Sequence, residues 1–395
     1  MAGATPVADY ALIDTQVRLT GAAEAIARTP VVGFDTEFIG ESTYEPELCL
    51  LQVSTPDAIY LIDPLARLDL RQFWAALTAP EREVIAFAAR QEMLFCLRYA
   101  GRLPGRVFDP QLAAGLVAYP YPTSYGNLVQ QTLGISVDKG ETLTDWRQRP
   151  LSRQQLHYAA EDVRHLMPLR DHLLARADEM QRRAWFEAEF ERQATQIQTQ
   201  RDEPWRRMSG LSGFNRRELA TVRELWTWRD NEARTANLPS RRVLSDDLLV
   251  VIARRAPKTT NDLFALRGLD RPQLRRAGRD IVAAVQAAAS LPDTELPTLP
   301  RRDPAQVGIL SSLASILANG LAAQHQVNPQ LLATSADIQD FVRWEMAKRE
   351  GPRPAVLEGW RGDILGHELQ ELFEGKRAVR VSDLQADNPL RFEAT

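Results

Sequence analysis

A chain of 395 residues is too long for one ordinary hydrophobic core and predicts two or three domains. With 44% hydrophobic and 25% charged residues it fits neither a disordered polymer nor a membrane-embedded protein, and its first residues show no basic stretch followed by an apolar run, so no signal peptide is expected. Two cysteines without a CxxC and five scattered histidines argue against a disulfide framework or a zinc site, suit a reducing cytoplasm, and leave oxygen-ligated magnesium or manganese as the metal chemistry open to it. The net charge of −4 hides an asymmetry: residues 206–280 carry 17 Lys and Arg against 9 Asp and Glu. A basic module in an otherwise acidic chain points to a polyanionic partner such as nucleic acid.

Strand and helix signals alternate over the first 175 residues. A helix over 15–28 leads to strands at 31–38, 48–54 and 58–62, three in succession as in an antiparallel meander. A helix over 70–77, a strand at 84–88, a helix over 91–99 and a short strand at 107–108 follow. Asp109 and Pro110 then open another helix as its N-cap and first residue. The pattern predicts a mixed sheet flanked by helices.

Beyond a loop holding one short helix at 125–133, Ser152 and Gln155 make a capping box. The helix they open carries one apolar stripe through Leu156, Ala160, Val163 and Met167. A second runs through Ala159, Leu166, Leu169 and Leu173, with a kink predicted at Pro168. Residues 176–205 are polar and read as a connecting helix or linker rather than core. Residues 206–290 predict a small helical bundle with Trp226 and Trp228 inside, 291–306 a proline-rich linker, 307–380 a second helical domain containing GWRGDILGHEL, and 381–395 a short mobile tail.

Within this frame the stretch VVGFDTEF at 31–38 is anomalous. On a strand, Asp35 and Glu37 share a face and repel each other unless a cation lies between them. Asp162 interrupts an apolar stripe, and Tyr158, one turn earlier, lies on the same side of the helix. Three carboxylates of this kind can bind divalent metal through oxygen. Two metals roughly 4 Å apart activate a water and stabilise the leaving oxygen of a phosphodiester.

FDTEF at 34–38, AARQEMLFCLRYAGRLPGRVFDPQLAAGL at 88–116 and KGETLTDWRQRPLSRQQLHYAAEDV at 139–163 resemble the ribonuclease D family, 3′–5′ exoribonucleases of the DEDD superfamily in its tyrosine-bearing branch. Residues 206–289 resemble the helicase and ribonuclease D C-terminal domain, and 307–375 its second copy. The resemblance implies a mixed-sheet α/β, ribonuclease H-like exonuclease domain (1–175) followed by two all-α helical bundles. It implies metal binding by Asp35, Glu37 and Asp162, a water held by Tyr158, and RNA as partner, with tRNA precursors as substrates; separately, a monomeric, cytoplasmic protein with no membrane partner is expected. The resemblance also makes Lys139, Trp146 and Arg149 candidates for shaping the substrate channel, with ordinary solvated loop charges as the alternative.

The second motif departs from the family pattern. Glu92 stands where the family has the fourth metal-binding Asp, and Phe87 where it usually has His. The added methylene makes Glu92→Asp an expected gain in rate. It also supports a rival, an RNA-binding protein with a weakened exonuclease domain; a third reading makes DNA the substrate. For Asp109 the N-cap role is a sufficient account. The arginine pairs Arg216/Arg217 and Arg241/Arg242 are expected to meet the RNA backbone.

Overall fold

The computed structural model describes residues 10–137, 144–198, 203–299, 303–385 and 389–395. Two compact units emerge, and the first joins the exonuclease part to the second helical domain. In chain order it begins with β1 (Ala11–Ile13), α1 (Gln16–Arg28), β2 (Val31–Ile39), β3 (Glu47–Ser54), β4 (Ile59–Ile62), α2 (Arg71–Leu77) and β5 (Glu83–Ile85). There follow α3 (Arg90–Ala100), β6 (Arg106–Phe108), α4 (Pro110–Leu116), α5 (Tyr125–Leu133), α6 (Arg153–Arg164), α7 (Leu166–Glu179) and α8 (Arg183–Gln198).

The six strands order as β1-β4-β3-β2-β5-β6. β2 runs parallel to β5, β5 to β6 and β1 to β4, while β3 opposes β4. Residues 40–46 are too few for a parallel crossover, so neighbouring β2 and β3 are antiparallel. The expected mixed sheet is therefore present. β1 adds a strand that its three residues did not signal.

The central strand β2 divides its side chains as alternation requires. Val32 and Phe34 are fully buried, and Phe34 meets Phe73 and Trp74 of α2 at ring distances of 6.4 and 6.2 Å. Gly33, Asp35 and Glu37 take the other face, which α6 and α7 cover. A Cβ on Gly33 would fall 2.3 Å from Ser54 Oγ and 3.1 Å from Leu166, and Ser54 Oγ donates to the Val163 carbonyl at 2.8 Å. Glycine is thus required by the close approach that carries Asp162 up to the strand.

Three expectations change. The predicted kink at Pro168 lies instead at His165, where α6 ends and α7 begins. Pro168 falls in the first turn of the new helix, where its missing N–H leaves no bond unmade. Residues 176–205 are more than a linker: on α8 Phe186, Glu189 and Ile197 are buried, and Phe186 and Phe190 pack against Phe108 of β6. The tail is also structured, because β7 (Arg377–Val381) and β8 (Leu390–Ala394) pair as an antiparallel hairpin.

Before that hairpin the first unit contains α14 (Ala305–Gln324), α15 (Pro329–Leu332), α16 (Ser335–Met346), α17 (Gly359–Arg361), a π-turn at Gly362–Gly366 and α18 (His367–Phe373). By length and composition α14 alone among the described helices could cross a membrane, yet its Val307, Ala314, Leu317 and Leu321 are buried within the unit. The GWRGDIL motif binds α8. The Arg361 guanidinium and the Trp360 indole N–H both donate to the buried Glu189 carboxylate, the latter at 3.0 Å. Arg182 reinforces this docking by donating to the carbonyls of Leu116, His325 and Gln326.

The second unit joins Phe38–Cys49 to residues 203–299, with α9 (Arg216–Ala236), α10 (Ser240–Val243), α11 (Asp246–Arg255), α12 (Thr260–Phe264) and α13 (Pro272–Ser290). Capping boxes at Asn215/Glu218 and Thr259/Asp262 start two of these helices. Leu219, Val222, Leu225, Ile252 and Ile281 form the core, with Trp226 and Trp228 packed against it as expected. Tyr44 is held by α9, its hydroxyl donating to Asp230 at 2.8 Å.

Candidate active site

Four carboxylates from three elements act on one another. Asp35 and Glu37 stand on β2, Asp162 is brought over them by α6, and Glu92 comes from the first turn of α3. Burial, then the charge of Asp162, pushes the Asp35 carboxyl well above its ordinary range, against the backbone N–H of Thr36. Burial and then Asp35, Asp162 and Glu92 push Glu37 up to about 9. Burial followed by Asp35 raises Glu92, and burial raises Asp162 although the Tyr158 hydroxyl opposes it. Besides burial, the four acids feel each other, neutral hydrogen-bond donors and two further acids, Asp109 beside Glu92 and Glu161 beside Asp162. Such an all-oxygen donor set suits a hard divalent cation.

Glu92 is also engaged from the other side of β2. Thr36, on the opposite side of the strand from Asp35, donates its hydroxyl to Glu92 Oε1 at 2.9 Å inside the protein. Among the described residues no three His, Cys, Asp or Glu side chains already converge as a metal cluster. Glu92 therefore has to share or release Thr36 in order to join the others around a cation.

The raised carboxyls fix a sign. An acid whose folded value exceeds its unfolded value of about 4.5 keeps a proton that the unfolded chain releases, so metal-free stability falls between there and about pH 9, the Glu37 value. A divalent cation such as magnesium held among them would favour the ionised acids. The rise in Tm on adding it is expected to be larger near pH 8 than near pH 5.5, as scanning calorimetry at both values would show; equal rises would contradict the arrangement.

The capping box at Ser152 and Gln155 is present and directs α6, and Gln155 also donates to Thr144 at 2.9 Å. Tyr158 hydrogen-bonds Asp162. Its hydroxyl is pushed up by burial and then by Asp162, Glu37 and Asp35, so at neutral pH it is a donor and not a base. Trp146 is buried, its ring 6.1 Å from that of Tyr158, so it supports the tyrosine rather than offering an open stacking surface. Arg149 is engaged by Asp63 at 2.6 and 2.8 Å and by the carbonyls of Trp146 and Gln148. Lys139 lies outside the described residues. Phe87 packs edge-on against Tyr125 at 5.6 Å, and the Tyr125 hydroxyl binds the Glu161 carbonyl and the His165 N–H at the helix break.

The basic pairs divide. Arg216 donates to the carbonyls of Asp293, Leu296 and Pro297, and Arg217 to those of Ala288 and Leu291 and to Asp293. Both fasten the proline-rich linker to α9. Arg241 and Arg242 are exposed, Arg241 lying 3.6 Å from Asp246.

Asp109 does more than its N-cap explains. Besides Gln111 and Leu112 N–H, its buried carboxylate accepts from the Ala88 and Ala89 N–H groups at 3.0 and 3.1 Å and from Gln193 at 3.1 Å. Ala88 has φ +54°, so Asp109 holds a strained turn immediately ahead of the helix that carries Glu92. Only the N-cap bonds are local in sequence, which is why the rest gave no signal.

The chain matches three family descriptions: 3′–5′ exonuclease over residues 10–178, HRDC domain over 218–285, and ribonuclease D, C-terminal HRDC domain, over 314–369. Ribonuclease D of Gluconacetobacter diazotrophicus is 36% identical over 94% of this chain and 95% of the relative, and that of Acidiphilium cryptum 33% identical over 94% and 97%. In structure it is similar to Escherichia coli RNase D, an exoribonuclease involved in structured RNA processing, with a TM-score of 0.84 at 27% identity over 93% of this chain and 99% of that one. A Bifidobacterium adolescentis protein shares the fold at a TM-score of 0.69 and 20% identity. By its exonuclease and two helical domains, and by near full-length identity to these relatives, the chain belongs to the ribonuclease D family.

Proposed function

We propose that this 3′–5′ exoribonuclease trims tRNA precursors and other structured RNA ends, acting as a cytoplasmic monomer through two magnesium or manganese ions held by Asp35, Glu37, Glu92 and Asp162. The single observation that carries the site is the mutual repulsion of these four recessed carboxylates, drawn from elements up to 127 positions apart in sequence (35 to 162) with neutral donors around them. Bound divalent cations would supply Lewis acidity to the attacking water and the leaving oxygen. Tyr158 keeps its proton, and its hydroxyl can point a water at the phosphorus while Asp162 holds the ring in place. Trp146 limits the tyrosine's motion, and Asp109 sets the direction from which Glu92 arrives.

Boundaries near residues 175, 205, 290, 306 and 380 divide the exonuclease, connecting, first helical, linker and second helical parts. In the first helical domain Arg241 and Arg242 are the arginines of the two pairs left for the RNA backbone, since Arg216 and Arg217 serve the linker. The reading is tested with 3′-labelled single-stranded RNA and magnesium or manganese. Stepwise release of labelled mononucleotide supports it; salt-sensitive binding without release under either metal would leave the binding-protein reading standing. The same assay with DNA settles substrate class.

The Thr36–Glu92 bond favours giving that second reading a separate test. It also reverses the expectation for Glu92→Asp. The shorter side chain loses the reach to Thr36 and, on a helix positioned for Glu, moves the carboxylate away from Asp35. The rate at saturating metal is now expected to fall about tenfold to a hundredfold in single-turnover kinetics, whereas a gain would show that the extra methylene impairs the enzyme.

A further inference from the structure

Gln52 of β3 is fully buried, and neither its amide nitrogen nor its amide oxygen has a partner among the described residues. An unpaired buried carboxamide costs stability and calls for an explanation. Its location supplies one. Gly33 and Ser54 face each other, since a Cβ on Gly33 would meet Ser54 Oγ at 2.3 Å. In an antiparallel pair, two residues on along β2 and two back along β3 bring Asp35 opposite Gln52, on the face that α6 covers. The other donors about the site are engaged: Ser54 with the Val163 carbonyl, Thr36 with Glu92, Tyr158 with Asp162.

We propose that Gln52 is a positioning residue for the metal site: when Asp35 is ionised and holds a divalent cation, the Gln52 amide N–H donates to one oxygen of its carboxylate and fixes the other toward the cation. The inference rests on the reading of Asp35 as a cation ligand. A carboxamide suits the task because it is neutral. A lysine or arginine there would neutralise the cluster and compete with the cation, whereas an amide orients the carboxylate and leaves its charge available. Ligating carboxylates are themselves held by hydrogen bonds, and loss of such a partner typically weakens metal binding about 10- to 100-fold.

The test uses the full chain. Gln52→Leu is compared with wild type for Mn2+ affinity by titration calorimetry and for thermal unfolding without metal; Gln52→Met replaces it should the leucine variant not fold. The expected pattern runs in opposite directions, with metal-free Tm unchanged or raised and the Mn2+ Kd at least about tenfold weaker. A lowered Tm with unchanged Kd marks a purely structural glutamine and overturns the proposal, as does an unchanged Kd at any Tm. Asp35→Asn is the control. If it binds Mn2+ as tightly as wild type, or if wild type binds none, the reading of the site itself is wrong and the proposal falls with it; loss of binding in Asp35→Asn beside intact binding in the Gln52 variant overturns the proposal alone.

Discussion

Asp35→Asn is expected to lower the rate of 3′-end hydrolysis by about a thousandfold or more while leaving salt-sensitive RNA binding in place. The loss follows from position. Asp35 interacts with Asp162, Glu37 and Glu92, so its loss reaches every other carboxylate of the cluster. It is the proposed ligand tying the others to a cation, so its removal would forfeit several kcal/mol of charge stabilisation, and each 1.4 kcal/mol or so is tenfold in rate. RNA affinity persists because the excess of positive charge lies in residues 206–280, outside the site. The same variant should be more stable than wild type without metal, since a neutral amide replaces an acid that burial and its neighbours disfavour. Single-turnover kinetics beside filter binding measures both halves; retained hydrolysis would mean the chemistry is elsewhere.

The second large effect is on stability. Glu189→Leu leaves the Arg361 guanidinium, only 6% exposed, without its carboxylate, and takes the acceptor from Trp360 as well. Breaking a buried pair in this way costs about 3–5 kcal/mol. The double variant Glu189→Leu/Arg361→Met should recover most of it, because an apolar pair pays no desolvation. Burial pushes the Glu189 carboxyl up, but Arg361, Arg192 and the Trp360 indole together hold the group below its ordinary value of 4.5. The stabilisation is accordingly complete above that value and disappears as acid titrates through the lowered folded one. Chemical denaturation of the three proteins decides it: a single-variant loss below about 1 kcal/mol would show that this pair does not hold the second helical domain in place.

Much of the site was legible because its signals are local. Strand alternation put Asp35 and Glu37 on one face, helical periodicity exposed Asp162 as a carboxylate in an apolar stripe, and Ser152 with Gln155 announced the helix that carries it. The sheet was legible for the same reason, except for β1, whose three residues gain their place only by pairing with β4. What escaped was long-range. Arg216 and Arg217 looked free because their partners are backbone carbonyls more than seventy residues away. The role of α8 was hidden because Glu189 and Gln193 look solvated until Arg361 and Asp109 are brought against them. The helix break went to His165 because a proline in a helix's first turn costs nothing. The hairpin at the tail depends on pairing between segments separated by a loop.

Asp35, Glu37, Glu92 and Asp162 are proposed to form one cation site. Anomalous diffraction from crystals grown with Mn2+ tests it most directly. Anomalous density is expected between β2 and α6, bounded by Asp35, Glu37 and Asp162, with the Glu92 carboxylate turned toward it; absence of density there at millimolar Mn2+, or density held by other residues, would rule the shared site out.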